Sequence, residues 1–93
     1  MVLLVTAGLA QASPELARAR NCLNCHGLER KIVGPAFKDV AARYAGRADA
    51  VPLLARKIVM GGGRAWGAVP MPANPAVSAE EATKLAAWVL TVK

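Results

Sequence analysis

Cys22-Leu23-Asn24-Cys25-His26 constrains this chain more than any other stretch. Two thiols three residues apart, followed at once by an imidazole, form the attachment pattern of a c-type haem. Side chains three and four apart share a face of one helical turn. Cys22 and Cys25 can therefore reach the two vinyl groups along one porphyrin edge and form thioethers, one haem c per chain. His26 follows the second thioether and can swing beneath the ring to offer a neutral nitrogen to the iron. Other chemistries fit the five residues less well. A redox dithiol expects a βαβ context, and no strand pattern flanks this pair. Structural zinc wants four Cys or His ligands, against two cysteines and one histidine in the whole chain.

The 93 residues suffice for one domain. Residues 1–12 carry no charge and end in Ala10-Gln11-Ala12, which fits the apolar stretch and small-residue cleavage site of a secretory signal. The run is too short for a membrane span, which needs about 20 apolar residues. No Lys or Arg precedes it, a departure from the usual signal. Cleavage there leaves 13–93 as a single exported, periplasmic domain of about 80 residues, marginal without a staple. A haem bonded at two points acts as a large apolar side chain at the centre of such a core.

The net charge of +6 lies wholly after residue 12, and basic charge suggests anionic partners. Nucleic acid is not among those expected: no basic run, recognition-helix pattern or aromatic stacking platform is present. The expected partners are redox proteins, a donor and an acceptor, met by a monomer.

Ser13-Pro14-Glu15 reads as a helix start, and a helix over 15–22 would deliver the cysteines on its last turn. Gly34-Pro35 closes a polar, turning segment. A rigid carbonyl at Pro35 could accept the second N–H of His26; an ordinary turn before a helix is the reading that the residues themselves favour. A short helix over 37–45 stops at Gly46. Asp49 caps a third helix, with Leu53, Leu54, Ile58 and Val59 inward and Arg56 and Lys57 outward, stopped by Gly61-Gly62-Gly63. No period fits 62–77, an uncommonly long loop for a compact domain. Ser78 and Glu81 form a capping box for the last helix, whose apolar stripe is Ala82, Leu85, Ala86 and Val89.

With one histidine in the chain, the sixth iron ligand must come from Met, Lys or Tyr. Met60 falls in step with the apolar residues of its helix and reads as core filler. Met71 stands between Pro70 and Pro72 in the long loop, where prolines restrict the backbone, and is the expected axial partner of His26. A neutral thioether favours ferrous iron and raises the potential.

The residues Cys22 to His26, Val33-Gly34-Pro35-Ala36-Phe37-Lys38-Asp39-Val40-Ala41, Trp66-Gly67, Val69-Pro70-Met71-Pro72-Ala73-Asn74 and Trp88-Val89-Leu90 run in an order that resembles short bacterial monohaem class I cytochromes c. That resemblance implies an all-α cytochrome c fold, about four short helices around the haem, with the first and last crossing. It implies His26 and Met71 as axial ligands. It also implies a Pro35 carbonyl that accepts from His26, Asn74 hydrogen-bonding near the Met71 sulfur, and Arg56 and Trp66 near a haem propionate. For Arg56 a solvated helix face, and for Trp66 a loop plug, stand as ordinary readings. The function implied is periplasmic electron transfer between a quinol-oxidising complex and a terminal oxidase or nitrite reductase. A small peroxidase-like haem enzyme or gas sensor is the alternative; it wants a distal His or Arg, and Arg64 is the candidate left.

Fold and cofactor are one problem on this reading. A Cys22→Ser/Cys25→Ser chain, made without haem, is expected to lose most of its far-UV helical signal; retention of the full helical spectrum would contradict the dependence.

Overall fold

The computed structural model describes residues 14–63 and 65–93. The expected signal segment 1–12, the cap at Ser13 and the candidate Arg64 lie outside the described residues. Among the described residues there are four α-helices: α1 over residues 14–19, α2 over Phe37–Arg43, α3 over Ala50–Met60 and α4 over Ala79–Val89. Among the described residues there is no strand, only two isolated bridges, His26 to Lys31 and Gly62 to Met71, which tie loops together.

α1 ends sooner than the expected 15–22. The Arg20 amide still reaches back to the Leu16 carbonyl at 2.9 Å, but Asn21 then adopts a left-handed φ of 66°. Asn tolerates that conformation better than most residues with a Cβ, and an α-helix cannot continue through it. The cysteines therefore sit on a separate 3-10 turn, Cys22–Asn24, rather than on the last turn of α1. The amides of Cys25 and His26 both bond the Cys22 carbonyl, at 3.1 and 3.0 Å, which curls the five residues into one compact unit.

The other helices begin and end for local reasons. α3 tolerates Pro52 because a first-turn residue needs no amide donor. Asp49 occupies its N-cap position without capping; its carboxylate instead accepts from Arg47 Nε and Nη2 at 3.0 and 2.8 Å. Gly61, at φ 80°, ends the helix. α4 opens on the expected capping box: the Glu81 amide donates to Ser78 Oγ at 3.1 Å and the Ser78 amide to Glu81 Oε1 at 3.2 Å.

Ala17 of α1 and Ala82 and Ala86 of α4 are fully buried in the apolar cluster. Arg20 Nη2 donates to Glu81 Oε2 at 3.0 Å and ties the end of α1 to the start of α4. α3 packs along α4, and Phe37, Val40, Tyr44, Leu54, Val77, Leu85 and Val89 complete the apolar cluster. Met60 departs from expectation: it is 70% exposed. The inward line of α3 runs Leu54, Ile58, Gly61, and Met60 stands about 100° away from it.

The Arg20 guanidinium holds the Glu81 carboxyl below its ordinary value of 4.5, helped by the Ser78 amide. A carboxyl depressed on folding stabilises the protein above its unfolded value, and that contribution fades as pH falls through the folded value. Glu81→Gln keeps a capping-box side chain but loses the ion pair. The variant is expected to be less stable than the parent at pH 7, with the gap in denaturant midpoint closing below pH 4.5; a gap unchanged by acid would assign the loss to the cap alone.

Candidate functional site

Helices α2, α3 and α4, the cysteine turn and the loop 62–72 surround one cleft. Its empty volume is about 1060 Å³, part of it open to solvent, at the upper end of the range for small-molecule sites. Phe37, Val40, Leu54, Ile58, Leu85, Trp88 and Val89 form apolar walls, and Cys22, Cys25, His26, Lys57, Trp66 and Met71 add the chemistry. Cys22 and Cys25 are half-buried thiols that are not bonded to each other. Burial pushes the Cys22 thiol up, its backbone hydrogen bond pulls the other way and neighbouring Cys25 adds a smaller upward push. A thiol that keeps its proton is slow to enter disulfide exchange.

The segment after the cysteines folds back to hold the imidazole. The Cys25 carbonyl accepts from the amides of Val33 and Gly34 at 3.0 and 2.7 Å, and the Gly27 carbonyl from the Phe37 amide at 2.9 Å. Pro35 is thereby brought beside His26, whose Nδ1 lies 2.7 Å from the Pro35 carbonyl oxygen. A carbonyl can only accept, so Nδ1 carries the hydrogen and Nε2 keeps a free lone pair. Phe37 stacks on the imidazole at 4.7 Å between ring centres, and Trp88 meets Phe37 edge-on at 5.6 Å. Gly34 must lack a side chain here. A Cβ on it would stand 2.6 Å from His26 Cε1 and 3.0 Å from Nδ1.

Met71 is held with similar economy. Its amide and carbonyl pair with the carbonyl and amide of Gly62, at 3.0 and 3.1 Å. A Cβ on Gly61 would lie 2.7 Å from the Met71 carbonyl oxygen, so the end of α3 and the methionine backbone are packed directly together. Just beyond, the Asn74 amide nitrogen of the backbone donates to the Val59 carbonyl at 3.1 Å. Its side chain donates to Ile58 at 2.8 Å and, more weakly, to Pro72 at 3.5 Å.

Cys22, Cys25, His26, Pro35, Trp66 and Met71 are thus brought to one cleft, and Arg56 and Asn74 are not among the residues lining it. Arg56 is exposed on α3. Lys57, expected to face outward, lines the cleft and is half-buried. The spacing carried that signal: Lys57 follows Leu54 by three and precedes Gly61 by four, on the inward line of α3. The Asn74 side chain is occupied by the Ile58 carbonyl of α3 and, more weakly, by that of Pro72. The residue types alone gave no sign of the roles of Gly34 and Gly61, which depend on what packs against them.

The cytochrome c family profile matches residues 10–93. Cytochrome c-552 of Nitrosomonas europaea is 51% identical over 90 residues, covering 97% of this chain and 87% of that one. Cytochrome c-551 of Pseudomonas aeruginosa is 47% identical over 91 residues, 97% of this chain and 86% of that one. The crystal structure of wild-type Nitrosomonas europaea cytochrome c552 superposes with a TM-score of 0.84 at 50% identity, covering 86% of this chain and 99% of that one. A class 1 cytochrome of Sideroxydans lithotrophicus gives a TM-score of 0.73 at 31% identity, with 89% and 95% covered. The chain belongs to the cytochrome c family, and its fold is the cytochrome c fold.

It is accordingly an electron carrier rather than an enzyme, with haem c bonded covalently through its two cysteines. The geometry fits that group: an apolar cleft, two thiols on one turn, and a ring nitrogen with a free lone pair beside them. Gly34→Ala is expected to lower the denaturant stability of the holoprotein by about 1–3 kcal/mol through overpacking against His26. Gly46→Ala has left-handed backbone but open space around its Cβ and should cost about 1 kcal/mol. Equal losses at the two positions would remove the special role given to Gly34.

Proposed function

We propose that this cytochrome c is a soluble periplasmic carrier whose haem iron is held by His26 and Met71. It would take single electrons from a quinol-oxidising complex and pass them to a terminal oxidase or nitrite reductase. The observation that carries this reading is that His26 and Met71 line the same cleft and each is fixed from behind by hydrogen-bonded backbone. Bound haem c supplies a one-electron couple between ferric and ferrous iron.

The chain's own residues do the rest. Pro35 fixes the ring orientation and tautomer of His26, so that Nε2 is presented as a neutral donor. Met71 offers a neutral thioether, which favours the ferrous state. Were His26 and Met71 both to hold the iron, no position on it would be left for oxygen, peroxide or another substrate. The apolar walls keep water from the ring, and the pinned backbone at both ligands keeps rearrangement small when the charge on the iron changes. At the mouth of the cleft Val33 and Val69 are 52% and 65% exposed while also lining it. Apolar surface beside a buried redox centre, on a chain of net charge +6, suits a partner with an apolar patch rimmed by carboxylates. No described helix is long and apolar enough to cross a membrane. On this reading the carrier works as a monomer.

The optical spectrum of the matured ferric protein tests the ligand pair. A weak long-wavelength sulfur-to-iron charge-transfer band is expected, lost in Met71→Ala and kept in Met60→Ala. The native ferrous protein is expected not to bind carbon monoxide. A high-spin spectrum without the band, or tight carbon monoxide binding, would overturn the His26/Met71 reading in favour of an open iron.

A further inference from the structure

We infer that Arg43, in the last turn of α2, is a positioning residue that latches the loop carrying Trp66 and Met71 over the cofactor cleft. The loop is well fixed at its ends, by the Gly62–Met71 pair and by Asn74 on the end of α3. Between those points its described residues form neither helix nor strand. Among its described residues, the hydrogen bond that reaches it from another element is Arg43 Nη1 to the Ala65 carbonyl, at 2.9 Å. The same guanidinium lies over the Trp66 ring, 3.9 Å from its centre, well inside cation–π range.

One planar group therefore grips two adjacent residues in two ways. Its face covers the indole and its edge donates to the carbonyl before it. Only the fork of an arginine makes both contacts together; a lysine ammonium has one compact head to spend. Trp66 is half-buried and lines the cleft, while Arg43 is exposed. The guanidinium thus presses the indole from the solvent side toward the cofactor. Releasing it frees a segment that has Gly63 and Gly67 near its ends, with no Cβ contact to hold either. Opening there would uncover the Met71 side of the cleft.

Arg43 also places a positive charge at the C-terminal end of α2, where any cation is favourable. That simpler role is separable from the latch. The last consequence of the latch, shielding of the Met71 bond, rests on the ligand pair proposed above; the latch on the loop itself does not.

The test uses matured holoprotein with Arg43→Gln and Arg43→Lys. Imidazole should enter the ferric iron site of Arg43→Gln about tenfold faster than in the parent, as expected for losing one cation–π contact and one hydrogen bond. Amide hydrogen exchange at 65–69 should accelerate by a similar factor, with exchange in α4 unchanged. Arg43→Lys, which keeps the helix-end charge, should recover only part of both effects. Full recovery by lysine would reduce Arg43 to a helix-end charge and overturn the latch, as would exchange at 65–69 that Arg43→Gln leaves untouched. If the parent lacks the sulfur-to-iron band, the ligand reading fails by itself, and the exchange comparison still decides the latch.

Discussion

Apolar side chains that face one another across a gap govern this structure. Leu54, Leu85, Trp88 and Val89 line the cleft as well as packing into the helical core, and each square ångström of cleft wall left to water would cost about 25 cal/mol. Four helices in about 80 residues cannot bury enough surface against each other to offset that exposure. The haem fills the gap, and its two covalent bonds remove the freedom that a diffusible cofactor would lose on binding. Elsewhere the small residues Ala17, Ala82 and Ala86 are buried outright, and Arg20 pairs with Glu81 to tie the end of α1 to the start of α4.

What the sequence made legible follows from how local the physics is. The attachment motif, the capping box at Ser78 and the stop at Gly61 depend on neighbours a few residues away, and each was readable; α2, expected to run to 45 and stop at Gly46, ends at Arg43. Two prolines and a long unpatterned loop are local signals too, and they singled out Met71, which the fold brings to the cleft. The end of α1 was not, because helical pattern runs smoothly through 15–22 and only the left-handed Asn21 interrupts it. Arg56 and Lys57 show the limit most clearly. They are adjacent cations on an amphipathic helix, and which of them meets the cleft depends on a rotation of about 100° per residue about an axis set by α4. Asn74 teaches the same lesson. Its nearness to Met71 in sequence was evident, whereas its side-chain bond to the Ile58 carbonyl of α3 was not. Gly34 and Arg43 act through contacts made by residues 8 and 23 positions away along the chain, His26 and Trp66, and no spacing rule announces them.

The two halves of the cleft are fixed by different means. On the His26 side a folded-back segment of backbone, closed by hydrogen bonds from Val33, Gly34 and Phe37, sets the imidazole against a carbonyl and an aromatic ring. It is short, dense and near the attachment point in sequence. On the Met71 side the chain must travel from α3 to α4, and it is held at separated points with open backbone between them. Local opening draws on the least anchored segments, so the methionine side is where this molecule should open first.

Charge acts on the same asymmetry. Lys57 is half-buried along the cleft wall, and Arg43 is exposed above Trp66. A positive charge near the iron favours the ferrous state, in the same direction as a thioether ligand. The two cations are not equivalent, because the interaction of a charge in contact with solvent is reduced several-fold relative to one partly removed from it. With haem bound in the cleft, Lys57 would act on the iron through its field, and Arg43 through the segment that we infer it holds. On that reading the potential of the carrier and the integrity of its loop would rest on different side chains, so that either could vary without the other.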